Sequence, residues 1–93
     1  MIRSFRDKVA ERIWDGQYVK AIDRAVQRAA LRKLELIHAD NDVEDLRMPP
    51  ENRLERLAGG RKSQHSIRVN SEWRICFVWT EGGAEDVELV HYH

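Results

Sequence analysis

The strongest constraint on the fold is a change of period at Met48-Pro49-Pro50. Before this point apolar residues recur every third or fourth position; after it they alternate. A pair of prolines cannot continue a helix, since the ring removes a backbone donor and pushes the preceding residue toward extended geometry. The chain therefore reads as a helical first half and a strand-rich second half. With 93 residues there is room for one domain, spanning residues 1–93. The expected class is α+β, with N-terminal helices packed on one face of a curved antiparallel sheet.

Ile2 and Phe5 are read as a short first strand. Asp7 to Trp14 carries Val9, Ile13 and Trp14 near helical spacing, and Asp15-Gly16 ends it. A longer stripe runs through Val19, Ile22, Val26, Ala29, Ala30, Leu34 and Ile37, with no Gly or Pro to interrupt it. Asp40-Asn41-Asp42 breaks that helix and caps a short turn ending at Leu46. Beyond the prolines, residues 65–69, 73–80 and 86–92 read as three strands, joined at Asn70-Ser71-Glu72 and at Glu81-Gly82-Gly83-Ala84. Parity puts Trp73, Ile75, Phe77 and Trp79 on the helix-facing side and Arg74, Cys76 and Val78 on the other. If Leu89 also faces the helices, Tyr92 shares the open face with Arg74.

Composition narrows the class. Hydrophobic residues are 42% of the chain, enough for one modest core, and no apolar run approaches the ~18 residues of a membrane span. The first residues lack an apolar signal core, so the expected location is cytoplasmic. The single Cys76 excludes an intrachain disulfide and reads as a buried, inert thiol. Sixteen basic and sixteen acidic residues cancel, but they are unevenly placed. Residues 1–33 hold nine Lys/Arg against four Asp/Glu, and residues 52–80 hold six against two. Acidic residues dominate the two remaining blocks. Such alternation permits a basic face toward a polyanion without establishing one, because it also describes an ordinary mixed surface.

Familiar catalytic motifs are missing. The Gly59-Gly60 and Gly82-Gly83 pairs make neither a phosphate loop nor a dinucleotide fingerprint, and no serine sits in a nucleophile elbow. His91 and His93 could lie on one side of a strand, but a zinc site needs further ligands that the sequence does not define. Neither metal nor cofactor is expected. What remains is a basic and aromatic set suited to metal-free RNA cleavage. That chemistry needs a base for the ribose 2′-hydroxyl, cations for the charge growing on phosphorus, and an acid for the leaving 5′-oxygen. Arg74 offers a permanent forked cation on a strand. His91, His93 and Tyr92 offer proton donors or acceptors. Arg61, Lys62, His65 and Arg68 are candidate phosphate contacts. Each has a plainer reading: Arg74 as the partner of a cross-strand carboxylate such as Glu88, Tyr92 as core, and the histidines as a frayed end.

The run Pro49-Pro50-Glu51-Asn52-Arg53-Leu54-Glu55-Arg56-Leu57-Ala58-Gly59-Gly60-Arg61 leads into Gln64-His65-Ser66-Ile67-Arg68-Val69-Asn70 and then Trp73-Arg74-Ile75-Cys76-Phe77. Together with the closing His91-Tyr92-His93, it resembles the HigB family of toxins within the RelE/ParE superfamily. The resemblance implies a toxin of a toxin–antitoxin pair that cleaves translated mRNA on the ribosome without metal. It also implies a helix-turn-helix HigA-like antitoxin, which binds the toxin and carries it to operator DNA. By the same resemblance Arg74, Tyr92 and His93 match catalytic positions; Arg61, Lys62, His65, Arg68 and His91 remain the RNA-contact candidates of the residue reading above.

Three positions depart from the family pattern. Ala58 stands where a well-studied branch has lysine, and Glu55 stands where that branch has histidine. His91 replaces a frequent aspartate. Lys62 or Arg61 could restore the lost cation. A second function class on the same scaffold is a non-enzymatic, ParE-like inhibitor of DNA gyrase; a third is a remnant acting only as antitoxin partner. Substitution of Arg74 by alanine is expected to abolish toxicity with the fold intact if the nuclease reading holds.

Overall fold

The computed structural model describes residues 1–58 and 64–92. Two helices, α1 (Lys8–Trp14) and α2 (Arg24–Ala39), precede four strands: β1 (Glu55–Arg56), β2 (Gln64–Arg68), β3 (Trp73–Thr80) and β4 (Gly83–His91). The strands form one antiparallel sheet in the order β1-β2-β3-β4, a meander. Both helices pack on the β3–β4 side, so the expected α+β architecture is the observed one. No helix is long and apolar enough to cross a membrane.

Capping fixes the helix starts. Asp7 Oδ1 accepts from the Ala10 amide at 2.8 Å, while its Oδ2 accepts from the Leu89 amide of β4 at 3.2 Å. One carboxylate thus caps α1 and ties it to the sheet. The second helix begins later than its apolar stripe suggests. Val19 and Ile22 are buried in the non-helical approach, Asp23 caps at the Ala25 amide, and the helix starts at Arg24. Buried Gln27 explains why the approach holds its shape. Its Oε1 accepts from the Val19 amide, and its Nε2 donates to the carbonyls of Val19 and Ile22. The side chain supplies the pairing that this bent segment cannot supply itself. Past α2, Asp42 caps a short 3-10 turn from Val43 to Arg47, as expected, and buries Leu46.

Ile2 and Phe5 do not form a full strand. They make isolated parallel bridges with Ala84 and Val87 at the edge of β4. The last strand is longer than expected because it starts at Gly83, whose φ of +125° and tight approach to the Met1 carbonyl admit no side chain. Two residues of β4, Asp86 and Val87, stand against Phe77 alone, forming a bulge with Asp86 at positive φ. Ser4 fills it, its hydroxyl accepting from the Asp86 amide and its carbonyl from that of Val87.

The core lies between helices and sheet. Ala10, Ile13, Ala30, Leu34 and Ile37 meet Ile67, Ile75, Phe77, Val87 and Leu89. Ile75 and Phe77 face the helices as their parity predicts, with Trp73 and Trp79 half-buried at the two ends. Leu89 pairs with Ile75 and is buried with it. Arg74 therefore belongs to the opposite face.

Candidate active site

The face away from the helices is polar and not bare. Ser66, Cys76 and Arg74 are 0%, 5% and 7% exposed, while Arg68, Glu88 and Val90 beside them are half-buried. Register builds this arrangement. Arg74 stands opposite Arg68 on β2 and Val90 on β4, and Cys76 stands opposite Ser66 and Glu88.

Arg74 is held along its length. Its Nε donates to Ser66 Oγ at 2.9 Å, and Nη2 donates to the Arg53 carbonyl at 2.8 Å and weakly to the Ser66 carbonyl at 3.3 Å. Glu55 Oε1 lies 3.5 Å from the same Nη2. Arg53 can offer its carbonyl because it adopts left-handed geometry (φ +44°) as the chain leaves the Pro50–Asn52 turn. That turn is anchored by buried Asn52, whose Nδ2 donates to the carbonyls of Leu46 and Met48 and whose Oδ1 accepts from Lys33. Met48–Pro49 is a cis peptide bond within the same bend. Among the described residues Arg74 Nη1 has no partner. The result is a rigid guanidinium with one edge fixed by the protein and a nitrogen left for an anion.

The second cation on this face is Arg68, directly across from Arg74 and with no side-chain partner among the described residues. Two like charges in register repel. An anion between them relieves that repulsion.

The cross-strand carboxylate that meets Arg74 is Glu55, not Glu88, which pairs with Arg6 at 3.7 Å. The carboxylate of β1 is reached because that two-residue strand places Glu55 opposite Ser66. Sequence reading noted Glu55 only as a departure from the family pattern and passed over Ser66. The pairing of Glu55 with Ser66 joins residues eleven positions apart and leaves no local signal in the chain.

Tyr92 follows β4 with the parity of Val90, and so of Arg74, and is 45% exposed. Its amide donates to the Glu72 carbonyl, which fixes the strand end. His91 has the other parity. Its ring tilts over Trp73 with centroids 4.6 Å apart, and its Nε2 lies 3.6 Å from Glu72 Oε2. His65 is also on the helix-facing side, only 9% exposed and stacked on Phe77 at 6.2 Å. The fold thus brings Arg74, Arg68 and Tyr92 to one face and places His65 and His91 on the other. Arg61, Lys62 and His93 lie outside the described residues.

Cys76 lies between the two cations and Glu88 but has no nucleophilic character. Burial, and then the Glu88 carboxylate, push its thiol from an ordinary 9.0 up to about 11, against a smaller opposing pull from Arg74.

Comparison with known proteins adds the family. A family model described as the RelE-like toxin of type II toxin-antitoxin system HigB matches residues 3–93. Toxin HigB-1 of Vibrio cholerae serotype O1 is 40% identical over 90 residues, covering 96% of this chain and 95% of the relative. An uncharacterized protein of Haemophilus influenzae is 31% identical over 86 residues, covering 91% and 85%.

Proposed function

This chain belongs to the HigB-like family of RelE-like toxins of type II toxin–antitoxin systems, and from that premise we propose that it is a metal-independent endoribonuclease that cleaves translated mRNA on the ribosome. A HigA-like helix-turn-helix antitoxin is the proposed partner that neutralises it and carries it to operator DNA. The cell compartment of this activity is the cytoplasm. The observation that carries the nuclease reading is the immobilised guanidinium of Arg74, with Nη1 and the Arg68 opposite it in register both unpaired among the described residues.

In this reading the scissile phosphate docks against Arg74 Nη1 and Arg68. The adjacent 2′-oxygen attacks phosphorus while the P–O5′ bond breaks, leaving a 2′,3′-cyclic phosphate and a free 5′-hydroxyl. Negative charge grows on the nonbridging oxygens during this step, and Arg74 gives its largest benefit there because it is already oriented. Tyr92 is placed to stack on a base or to protonate the 5′-oxygen. His93 shares that donor role by family resemblance, and Arg61 and Lys62 keep their proposed roles toward RNA. Packing of His65 and His91 on aromatic rings favours a part in shaping the edges of the site over one at the phosphate itself.

The test is primer extension on cellular mRNA after brief induction of the toxin without its antitoxin. Because Arg74 also bonds Ser66 and Arg53, the control is Arg74→Lys, with circular dichroism and a denaturation curve run beside it. New 5′ ends within reading frames, absent in the folded control, are the expected result. Intact mRNA in arrested cells rejects the reading and directs attention to DNA supercoiling.

A further inference from the structure

The proposed cleavage needs a proton acceptor on the face that holds the phosphate. Reacting atoms in a productive complex sit about 3–3.5 Å apart, so the base must stand within a few ångströms of the cation that grips the phosphate. His65 and His91 are on the opposite parity, packed on Phe77 and Trp73. A phenol such as that of Tyr92 must lose its own proton before it can accept another, and makes a poor unaided base. Glu88 lies opposite Cys76 and is engaged by Arg6.

Glu55 satisfies the geometry. Its carboxylate is 3.5 Å from Arg74 Nη2 and its side chain is 60% exposed, so substrate can reach it. Its position is fixed by the sheet: β1 holds Glu55 opposite Ser66, and the Ser66 hydroxyl accepts from Arg74 Nε. One ladder therefore sets the spacing between carboxylate and guanidinium. The same guanidinium is also bound by the Ser66 hydroxyl at Nε and by the Arg53 carbonyl, which shares Nη2 with Glu55.

We infer that Glu55 is the general base of the cleavage step, an assignment that rests on the nuclease reading above. The Glu55 carboxylate takes the 2′-hydroxyl proton as the O2′–P bond forms. The electron pair of the breaking P–O5′ bond stays on O5′, which takes a proton from the acid at the Tyr92 end of the site. Glu55 then returns its proton to solvent and the acid is reprotonated from it, so the enzyme is unchanged. Arg74 has two functions here, gripping the phosphate through Nη1 and holding the ionised base through Nη2.

The experiment is single-turnover cleavage of a translated mRNA on programmed ribosomes by wild type, Glu55→Gln and Glu55→His, each across a pH series. Glu55 is exposed and Gln is isosteric, so the variants fold. Glu55→Gln is expected to slow cleavage by about 10²–10⁴-fold with ribosome binding unchanged. Glu55→His is expected to recover part of the rate, with the acid limb of its pH profile displaced upward relative to wild type, as an imidazole in place of a carboxylate requires. A Glu55→Gln variant that cleaves at the wild-type rate, or that loses binding alone, overturns the assignment while the nuclease reading stands. Absence of cleavage by the wild type overturns both.

Discussion

Arg74 combines two functions that are usually separate. In the proposed cleavage it is the cation at the phosphate, and in the fold it is a buried tie between β3, β2 and the Arg53 bend. Removing it leaves the Ser66 hydroxyl and the Arg53 carbonyl without their donor, so Arg74→Ala is expected to cost about 1–3 kcal/mol of stability. Urea denaturation measures that loss directly, and toxicity assays of this variant need the same curve before inactivity is assigned to chemistry. Gln27 makes a similar case away from the site. Gln27→Ala strands the amide and carbonyl of Val19 and the carbonyl of Ile22, and a loss of about 1–3 kcal/mol in a urea melt is expected. Cys76 gives the pH prediction. Its folded value of about 11 lies above the ordinary 9.0, so the native state keeps a proton that the unfolded state releases. Stability from this group is complete below about pH 9 and is lost as pH rises through about 11. Denaturation midpoints of wild type should therefore fall relative to those of Cys76→Ala across that window. Native Cys76 should also resist alkylation at neutral pH until the protein unfolds.

At the scale of elements, the joints between helix and sheet depend on single polar groups. Asp7 caps α1 with one oxygen and holds the Leu89 amide with the other. Asp7→Ala is expected to destabilise by about 1–2 kcal/mol, most of it recovered by Asp7→Asn, whose amide oxygen still caps the helix. Hydrogen exchange at the Ala10 and Leu89 amides checks both ends of the contact. The hairpin between β2 and β3 is set locally by Asn70, whose Oδ1 accepts from the amides of Glu72 and Trp73. That turn fixes the register placing Arg68 against Arg74. The short β1 has the opposite character. Nothing in Leu54-Glu55-Arg56-Leu57 announces a strand, because its partner residues, His65 and Ser66, lie further along the chain, outside any local pattern.

For the molecule as a whole, stability and function draw on opposite faces of one sheet. The helix-facing side holds the core, so Phe77→Ala should cost about 3–5 kcal/mol and destroy folding and activity together. The other face holds the charged set, where Glu55→Gln should reduce activity and leave the melt unchanged. Measuring both variants by calorimetry and cleavage separates packing from chemistry. The N-terminal segment closes the β4 edge, with the Arg3 amide donating to the Ala84 carbonyl and the Ala84 amide to that of Met1. Bridging that edge leaves fewer unpaired groups for association with another chain.

The sequence by itself determined the two-part architecture, the helix stripe, the cap of the short turn at Asp42 and the parity that separates Arg74 from the core. These follow from local periodicity and side-chain type, which act over a few residues at a time. The family was legible too, through the Ser66 to Phe77 segment and the closing Tyr92. What only the tertiary structure decided was the environment of each site residue. His65 and Arg68 belong to one strand but to opposite faces. The carboxylate beside Arg74 comes from β1, not from neighbouring β4. The Ser4 contact at Asp86, which fills the bulge opposite Phe77, joins residues 82 positions apart. Pairings of that kind depend on register and burial between distant segments, and no local pattern in the chain encodes them.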